Sequence, residues 1–300
     1  MISIKISPIF YMGAKRRLIR KGLIDFFPEN IDRYYEPFAG SCIVAMNVKA
    51  NNYYLNDIDK HLYALYQMFK TYTASDLISY IEYNIEQYKL PQEGTRREDF
   101  QNKEKIAEYK KAYNIFRKHY NFSGNIIDFY ILTIFSFSHQ FRHNANGEYN
   151  MPYGNDFFRP SNKENIYDGC IFFTQPNVSL YSMSFENFFE YKDIVHAPDN
   201  TFVYLDPPYL HTTAVYNESR GEINPWTSAT EATLRHYCEL LTQHHINFAM
   251  SNVFANRGFD NVSLKEWCAR NSYNVHHFDH CYSACGKGNS RTDEVLIMNY

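Results

Sequence analysis

The stretch Phe202-Val203-Tyr204-Leu205-Asp206-Pro207-Pro208-Tyr209 decides the fold of this chain. Its first four residues are apolar and β-prone, which is typical of a buried strand in an α/β sheet. Pro207 and Pro208 have no N–H to donate to a neighbouring strand, so the chain must leave the sheet directly after Asp206. This places Asp206 and Tyr209 at the carboxyl end of a strand, where open α/β sheets bind their ligands.

The residues of this turn are suited to holding a flat amino group. The carbonyls of the two prolines and the carboxylate of Asp206 can accept both hydrogens of an –NH₂ group, while the Tyr209 ring stacks on its plane. The exocyclic amine of a nucleobase is such a group. An ordinary strand-ending turn has the same composition, because Asp and Pro are common turn residues. At this point both interpretations stand.

A second ligand-binding pattern lies near the amino terminus. Tyr34–Ser41 is a short aromatic strand that breaks into a small-residue turn, and Val44–Val48 is apolar at helical spacing. Tyr53–Asp59 then reads as a second strand that ends in acids. Strand, tight turn, helix, strand and acid are the layout of a doubly wound nucleotide-binding unit, in which the acid binds ribose hydroxyls. The glycine pattern of such a unit is incomplete here.

The rest of the chain divides into a helical block and a return to strands. A first helix is predicted from Leu18 to Phe27, and helical spacing then dominates from His61 to Phe137. This block interrupts the strand–helix alternation, which marks it as an insertion or a second domain. Strands are predicted again at Ile171–Phe173, Val178–Tyr181, Ile246–Ser251, Val275–His280 and Glu294–Asn299.

The segment Gln140–Asn150, which we call the hairpin segment, has Asn146-Gly147 between short flanks, and this predicts a β-hairpin. It is rich in Arg, Asn and Gln, whose side chains read the edges of bases. An ordinary surface hairpin would also fit this pattern.

Bulk properties restrict the functions to consider. Three hundred residues suit one large domain or two modest ones. A net charge of −3 excludes an electrostatic nucleic-acid binder, so DNA binding would need a local basic patch such as the one over Lys103–Lys118. No secretory signal or membrane-spanning run is visible, and the six scattered cysteines favour reduced thiols in the cytoplasm. His276, His277, His280, Cys281 and Cys285 fit no standard zinc spacing, so we expect no metal site.

Taken together, these motifs resemble the Dam-like family, the α-group of DNA adenine-N6 methyltransferases, and the resemblance covers nearly the whole chain. The catalytic Asp-Pro-Pro-Tyr of the family is similar to Asp206–Tyr209, and the methyl-donor motif to Tyr34–Cys42. Further family motifs resemble Tyr11–Lys15, Leu55–Asp57, Arg142–Gly154, Met250–Asn252 and Thr292–Leu296.

The resemblance implies a fold and a domain organisation. The fold is an α/β, Rossmann-like methyltransferase sheet with an inserted, mainly helical target-recognition domain that carries a β-hairpin. Residues 1–65 and 170–300 would form the catalytic domain, and residues 66–169 the recognition insert. The implied partners are double-stranded DNA and a cognate restriction endonuclease, with no membrane.

The implied reaction transfers a methyl group from S-adenosylmethionine to N6 of an adenine that is flipped out of the duplex, and it requires no metal. Asp206 and the Pro207 carbonyl would accept the N6 hydrogens, and Tyr209 would stack on the base. The family positions that bind the donor are Tyr11, Lys15, Phe38, Gly40, Asp57, Ile58 and Asp206. Those that recognise DNA are Phe10, Phe137, Gln140, Arg142, Asn144 and Pro152.

Three departures from the family pattern matter. Cys42 stands where the donor motif usually has its second glycine, so the backbone there must either keep φ negative or carry strain. Tyr11 replaces a Trp and preserves a stacking ring. Phe10 replaces a Lys of the members that methylate GATC, and Gln140 replaces their Leu or Met. Losing a Lys contact to guanine costs roughly 1–3 kcal/mol, so we expect an adenine target other than plain GATC.

Two other classes of function remain open. An enzyme could methylate another planar amine, such as cytosine N4 or a protein glutamine, although those families usually show Ser or Asn in place of Asp206. The chain could also be a non-catalytic DNA-binding module that has lost donor binding, an alternative motivated by Cys42.

Overall fold

The computed structural model describes residues 4–92, 95, 99–210, 226–256, 259–281 and 291–300. Its centre is one sheet, in which seven strands lie side by side in the order β3-β2-β1-β4-β5-β8-β7 and the short β6 pairs with β5. The strands are β1 Ile31–Glu36, β2 Ala50–Asn56, β3 Val178–Tyr181, β4 Thr201–Leu205, β5 Asn247–Asn256, β6 Phe259–Asp260, β7 Asn274–Cys281 and β8 Arg291–Met298. The mostly parallel α/β sheet predicted from the sequence is confirmed.

The topology places a ligand crevice next to the opening stretch. Strands β3, β2, β1, β4 and β5 are parallel, and only β8 runs antiparallel to its neighbours in the row of seven. From β1 the chain moves outward through β2 to β3 and then returns to place β4 on the other side of β1. This reversal creates a crevice between the carboxyl ends of β1 and β4. All five residues of β4 are buried, and Asp206 follows them at that edge.

Helices cover both faces of the sheet. They are α1 Arg16–Arg20, α2 Lys60–Thr71, α3 Ala74–Tyr88, α4 Lys103–Ser123, α5 Ile126–Phe135, α6 Pro160–Phe173, α7 Phe185–Lys192, α8 Ser228–Gln243 and α9 Val262–Arg270. Alternate side chains of the strands pack on opposite faces, as a period of two requires. Tyr34 and Tyr204 join the core beneath α2–α6, whereas Tyr35 and Leu205 join the core beneath α7–α9.

Helices α2–α6 form the block that the sequence predicts between β2 and β3. Helix α2 contacts α5, α6 and β3, and the buried side chains of the block belong to the same core as one face of the sheet. The predicted domain limits, 65/66 and 169/170, fall inside α2 and α6, so a cut at either position would divide a helix. Buried tyrosines such as Tyr66, Tyr113 and Tyr130 account for part of the high aromatic content.

Three local predictions were wrong. The first helix stops at Arg20, because Gly22 turns into the left-handed region at φ 88° and a short 3₁₀ turn follows. Val44–Val48 contains only the 3₁₀ turn Ala45–Asn47. Ile171–Phe173 is the last turn of α6 rather than a strand, since Phe172 and Phe173 pack on Tyr53 and Tyr66 from the helix.

The hairpin segment turns back on itself, as Asn146-Gly147 predicts. The Asn150 N–H donates to the Arg142 carbonyl, the Asn144 N–H donates to the Glu148 carbonyl, and Gly147 has φ 78° at the tip. Within the described part of the chain, no helix has the length and apolar character needed to cross a membrane.

Candidate active site

A cavity of about 360 Å³ lies at the crevice where β1, β2 and β4 end. Such a volume is within the range of small-molecule sites. Predicted residues that line it are Tyr11, Lys15, Phe38, Gly40, Asp57, Ile58, Asp206 and Tyr209. Residues separated by almost two hundred positions therefore share one site.

The turn after β1 brings backbone to the wall of the cavity. Gly40 has φ 50°, and its N–H donates to Asp57 Oδ2 at 2.9 Å. A Cβ at Gly40 would lie 3.2 Å from the Tyr11 ring, so a side chain there would crowd the cavity. The Gly40 carbonyl accepts a hydrogen bond from the buried Tyr66 hydroxyl at 2.5 Å. The turn is thus held from both sides in a conformation that favours glycine.

Cys42 resolves the choice that the sequence left open at this turn. It is fully buried and has φ 58°, so it keeps the glycine-like conformation at the expense of strain. Burial raises the pKa of its thiol well above the usual range. Cys42 itself is not among the residues that line the cavity.

The Asp57 carboxylate lies where burial disfavours its charged form. Its Oδ1 accepts the Asp59 N–H at 3.0 Å, and its other oxygen is held by Gly40. Part of its surface opens to the cavity and protein encloses the rest, and this burial raises the pKa of Asp57 to about 7. Ile58, 42% exposed, follows it at the rim.

Asp206 lies against a buried cation. Lys15 Nζ is 2.7 Å from Asp206 Oδ2, and the Tyr209 hydroxyl donates to Asp206 Oδ1 at 3.2 Å. Lys15 also donates to the Gly13 carbonyl and lies 5.3 Å from the centre of the Tyr209 ring. Burial raises the pKa of Asp206, and the Lys15 ammonium opposes that rise. The pair thus keeps an acceptor carboxylate in a poorly hydrated place.

The prolines of the turn are placed differently from one another. Pro208 lines the cavity, whereas Pro207 is buried and is not among the lining residues.

Several lining residues were not predicted as site residues, among them Phe185, Trp226, Glu36 and Met183. Phe185 and Trp226 pack with Phe38 into an aromatic wall, with ring centres 5.3–5.8 Å apart. Glu36 is buried, accepts a hydrogen bond from Tyr34, and has its pKa raised well above the usual range by burial. The fourth, Met183, is tied to Asn56, which hydrogen-bonds both its N–H and its carbonyl. Of these four, only Glu36 carried a sequence signal, because it lies within the donor motif Tyr34–Cys42.

The predicted DNA-recognition residues lie on two segments near the cavity. One is the amino-terminal segment that contains Phe10, and the other runs from Phe137 to Pro152. Phe10 stacks on His139 with ring centres 4.4 Å apart, and Gln140 Nε2 is 3.3 Å from the sulfur of Met12, a cavity-lining residue. Phe137 is 58% exposed. The amino-terminal segment therefore contacts the start of the hairpin segment directly, through Met12 and Gln140.

The other recognition residues have partners within the protein. Arg142 donates through Nε to Asn150 Oδ1 at 2.7 Å, and the Pro152 carbonyl accepts the Phe137 N–H. Asn144 uses its side chain to close the turn, because its Oδ1 accepts two backbone N–H groups and its Nδ2 donates to Glu148. These contacts orient Arg142 and occupy Asn144.

No cluster of three or more His, Cys, Asp or Glu residues suited to a metal occurs among the residues that the structure describes. Cys285, one member of the group considered for zinc, lies outside them.

The profile of the D12 class N6 adenine-specific DNA methyltransferase family matches residues 11–284. This chain belongs to that family. The match begins at Tyr11 and includes every lining residue named above. The resemblance inferred from the motifs is confirmed at the level of the family.

Three curated relatives of this chain extend the comparison. Modification methylase StsI of Streptococcus sanguinis is 34% identical over 98% of this chain and 43% of its own length. Type II methyltransferase M.FokI of Planomicrobium okeanokoites is 32% identical, with the same two coverages. DNA adenine methylase of Escherichia coli K12 is 25% identical over 88% of this chain and 84% of its own length. The chain thus spans less than half the length of the first two relatives.

Proposed function

We propose that this chain transfers a methyl group from S-adenosylmethionine to N6 of adenine in double-stranded DNA, with the target base flipped out. The observation that carries the proposal is that Gly40, Asp57, Asp206 and Tyr209 line a single cavity. Methyl transfer to a planar amine requires a site for the methyl donor and a site for the amine in one cavity. Gly40 and Asp57 suit the donor, and Asp206 and Tyr209 suit the amine.

The residues present fit the donor. A carboxylate at Asp57 suits two ribose hydroxyls, Ile58 offers an apolar surface to adenine, and the Gly40 turn leaves space that a Cβ would narrow. Lys15 and Tyr11 would lie at the methionine end. When bound, the donor supplies an electrophilic methyl group on a sulfonium.

The catalytic residues would act by holding the adenine. Asp206 accepts one N6 hydrogen and the Pro207 carbonyl accepts the other, which increases electron density on the nitrogen. Tyr209 stacks on the base and fixes its plane. Most of the rate enhancement would come from positioning, because a sulfonium is already a good leaving group.

The DNA-binding part of the proposal uses the helical block. Residues 66–169 would form the recognition insert, and the hairpin segment with Phe10 and Phe137 would meet the duplex. The partners would be double-stranded DNA and, because two relatives are named as a modification methylase and a Type II methyltransferase, a cognate restriction endonuclease.

Donor affinity should depend on pH through Asp57. Its pKa of about 7 means that it is largely protonated below neutrality, and a protonated carboxyl is a weaker acceptor for ribose hydroxyls. Lowering the pH from about 8 to about 6 should weaken S-adenosylmethionine binding roughly tenfold. Titration calorimetry at several pH values measures this. Asp57→Asn, which keeps an acceptor for the Gly40 N–H, should bind less tightly and lose this pH dependence.

Sequencing that identifies modified bases in DNA from cells expressing the protein tests the function. We expect N6-methyladenine in one recurring sequence that is not plain GATC, because Phe10 cannot make a Lys contact to guanine and Gln140 can bond adenine. An Asp206→Ala strain is the control.

Three outcomes would count against these proposals. Methylation at every GATC would contradict the specificity, and N4-methylcytosine would contradict the assignment of the target base. DNA binding without donor binding or any modified base would favour the non-catalytic module.

A further inference from the structure

Two histidines connect the hairpin segment to the helical block. The rings of His143, in the hairpin segment, and His61, in α2, are stacked with centres 4.2 Å apart and planes 11° from parallel. His143 also packs on Phe129 of α5 and on Tyr149. The hairpin segment thus contacts α2 through this ring pair.

The second ring of this pair leads to the donor site. His61 Nδ1 is 3.2 Å from Asp59 Oδ1, and because a carboxylate accepts, Nδ1 carries the proton. Asp59, the N-cap of α2, donates its N–H to Asp57 Oδ1 at 3.0 Å. Asp57 in turn holds the Gly40 N–H at 2.9 Å. Four consecutive contacts therefore join the hairpin segment to the donor turn.

The state of His143 points to a role beyond packing. Both of its ring nitrogens are buried and have no hydrogen-bond partner among the described residues. Burial lowers the pKa of His143 to about 4, so the ring is neutral at physiological pH. Leaving polar atoms buried and unsatisfied destabilises a fold. The contact between the His143 and His61 rings uses no hydrogen bond of His143, so it can shift as the hairpin segment moves without breaking one.

We propose that His61 and His143 are positioning residues that couple DNA binding at the hairpin segment to donor binding at Asp57. A shift of the hairpin segment on DNA moves the ring of His61, and His61 moves Asp59 and the carboxylate it orients. The inference rests on the proposed function. By linkage, DNA must then strengthen donor binding by the same factor as the donor strengthens DNA binding.

The coupling factor is measurable without turnover. The dissociation constant of S-adenosylhomocysteine, which carries no methyl group to transfer, is determined without DNA and with a saturating duplex that carries the site found by sequencing. The ratio of the two constants is the coupling factor. In His143→Ala the coupling factor should fall about 2- to 30-fold. Donor affinity in the absence of DNA should be almost unchanged.

Further variants separate the contacts. His61→Phe keeps the stack but removes the hydrogen bond to Asp59, so it should lose coupling. His143→Phe keeps a ring in the stack and should retain it. The matched control is His244→Ala. His244 is exposed and packs on His196 with ring centres 4.8 Å apart. It lies just before the amino-terminal end of β5, whereas the cavity lies at the carboxyl ends of the strands.

The results distinguish this inference from the proposed function. Wild-type coupling in both His143→Ala and His61→Phe, or a wild-type factor of one, overturns the inference while leaving the function intact. If wild type binds no S-adenosylhomocysteine, both fail. Should His143→Ala not fold, His61→Phe decides the question by itself.

Discussion

Replacing Asp206 with Ala should reduce the rate of DNA methylation by about 10²- to 10³-fold, the usual effect of removing one well-placed hydrogen-bonding group from a catalytic site. The Asp206 carboxylate lies 2.7 Å from Lys15 Nζ and accepts a hydrogen bond from the Tyr209 hydroxyl, and under the proposed function it would hold the substrate amine. Incorporation of labelled methyl groups into DNA measures the loss. Asp206→Asn, which keeps one oxygen acceptor without the charge, should fall between wild type and Asp206→Ala.

The matched control for this prediction is Asp193→Ala. Asp193 is an exposed aspartate at the end of α7, paired with His196 on the surface, and its removal should leave the methylation rate unchanged. Equal rates in wild type and Asp206→Ala would show that Asp206 has no catalytic role. A loss of activity accompanied by a lower denaturation midpoint would assign the effect to folding instead.

Replacing Gly154 with Ala should lower the free energy of unfolding by about 1–3 kcal/mol, the usual range for overpacking. A Cβ at Gly154 would lie 2.5 Å from the Ser136 carbonyl oxygen and 2.7 Å from the Phe137 nitrogen. Both are backbone atoms and cannot rotate away. The Gly154 N–H also donates to the Phe135 carbonyl, so the two segments must separate for the methyl group to fit.

Urea denaturation measures this change, and DNA affinity should fall with it, because Phe137 lies in the displaced segment. Gly147→Asn serves as the control. Gly147 lies at the tip of the hairpin segment with φ 78°, and a Cβ added there would have no atom within 4 Å. Asn tolerates that conformation, so the loss should stay within about 1 kcal/mol. Equal stability of Gly154→Ala and wild type would contradict the expected backbone clash.

Residues that line the cavity could be predicted where their position depends on local pattern. Asp206 and Asp57 both follow β-prone runs, and parallel strands bring their carboxyl ends to one edge of a sheet. Phe185 and Trp226 could not be found in this way. A Phe or Trp in the sequence looks like core, and only packing against Phe38 from two distant elements places these rings on the cavity wall.

The same distinction explains the errors in local structure. Ile171–Phe173 is apolar and aromatic, which fits a strand and a buried helical turn equally well. Packing on Tyr53 and Tyr66 decides for the helix. Asn144 stays a predicted DNA-recognition residue. The structure adds that its side chain closes its own turn, a contact that depends on how Glu148 folds back.

The sequence by itself determined the family, through the resemblance of its motifs. It also determined the buried strand before Asp206 and the acids that end two strands, because short-range periodicity and turn chemistry act between neighbours in the chain. Only the tertiary structure decided that Lys15 pairs with Asp206, that Cys42 keeps a left-handed backbone, and that His143 stacks on His61. These contacts join residues far apart in sequence or depend on burial. Burial and distance are properties of the packed chain, and they set the charge and position of each group in the site.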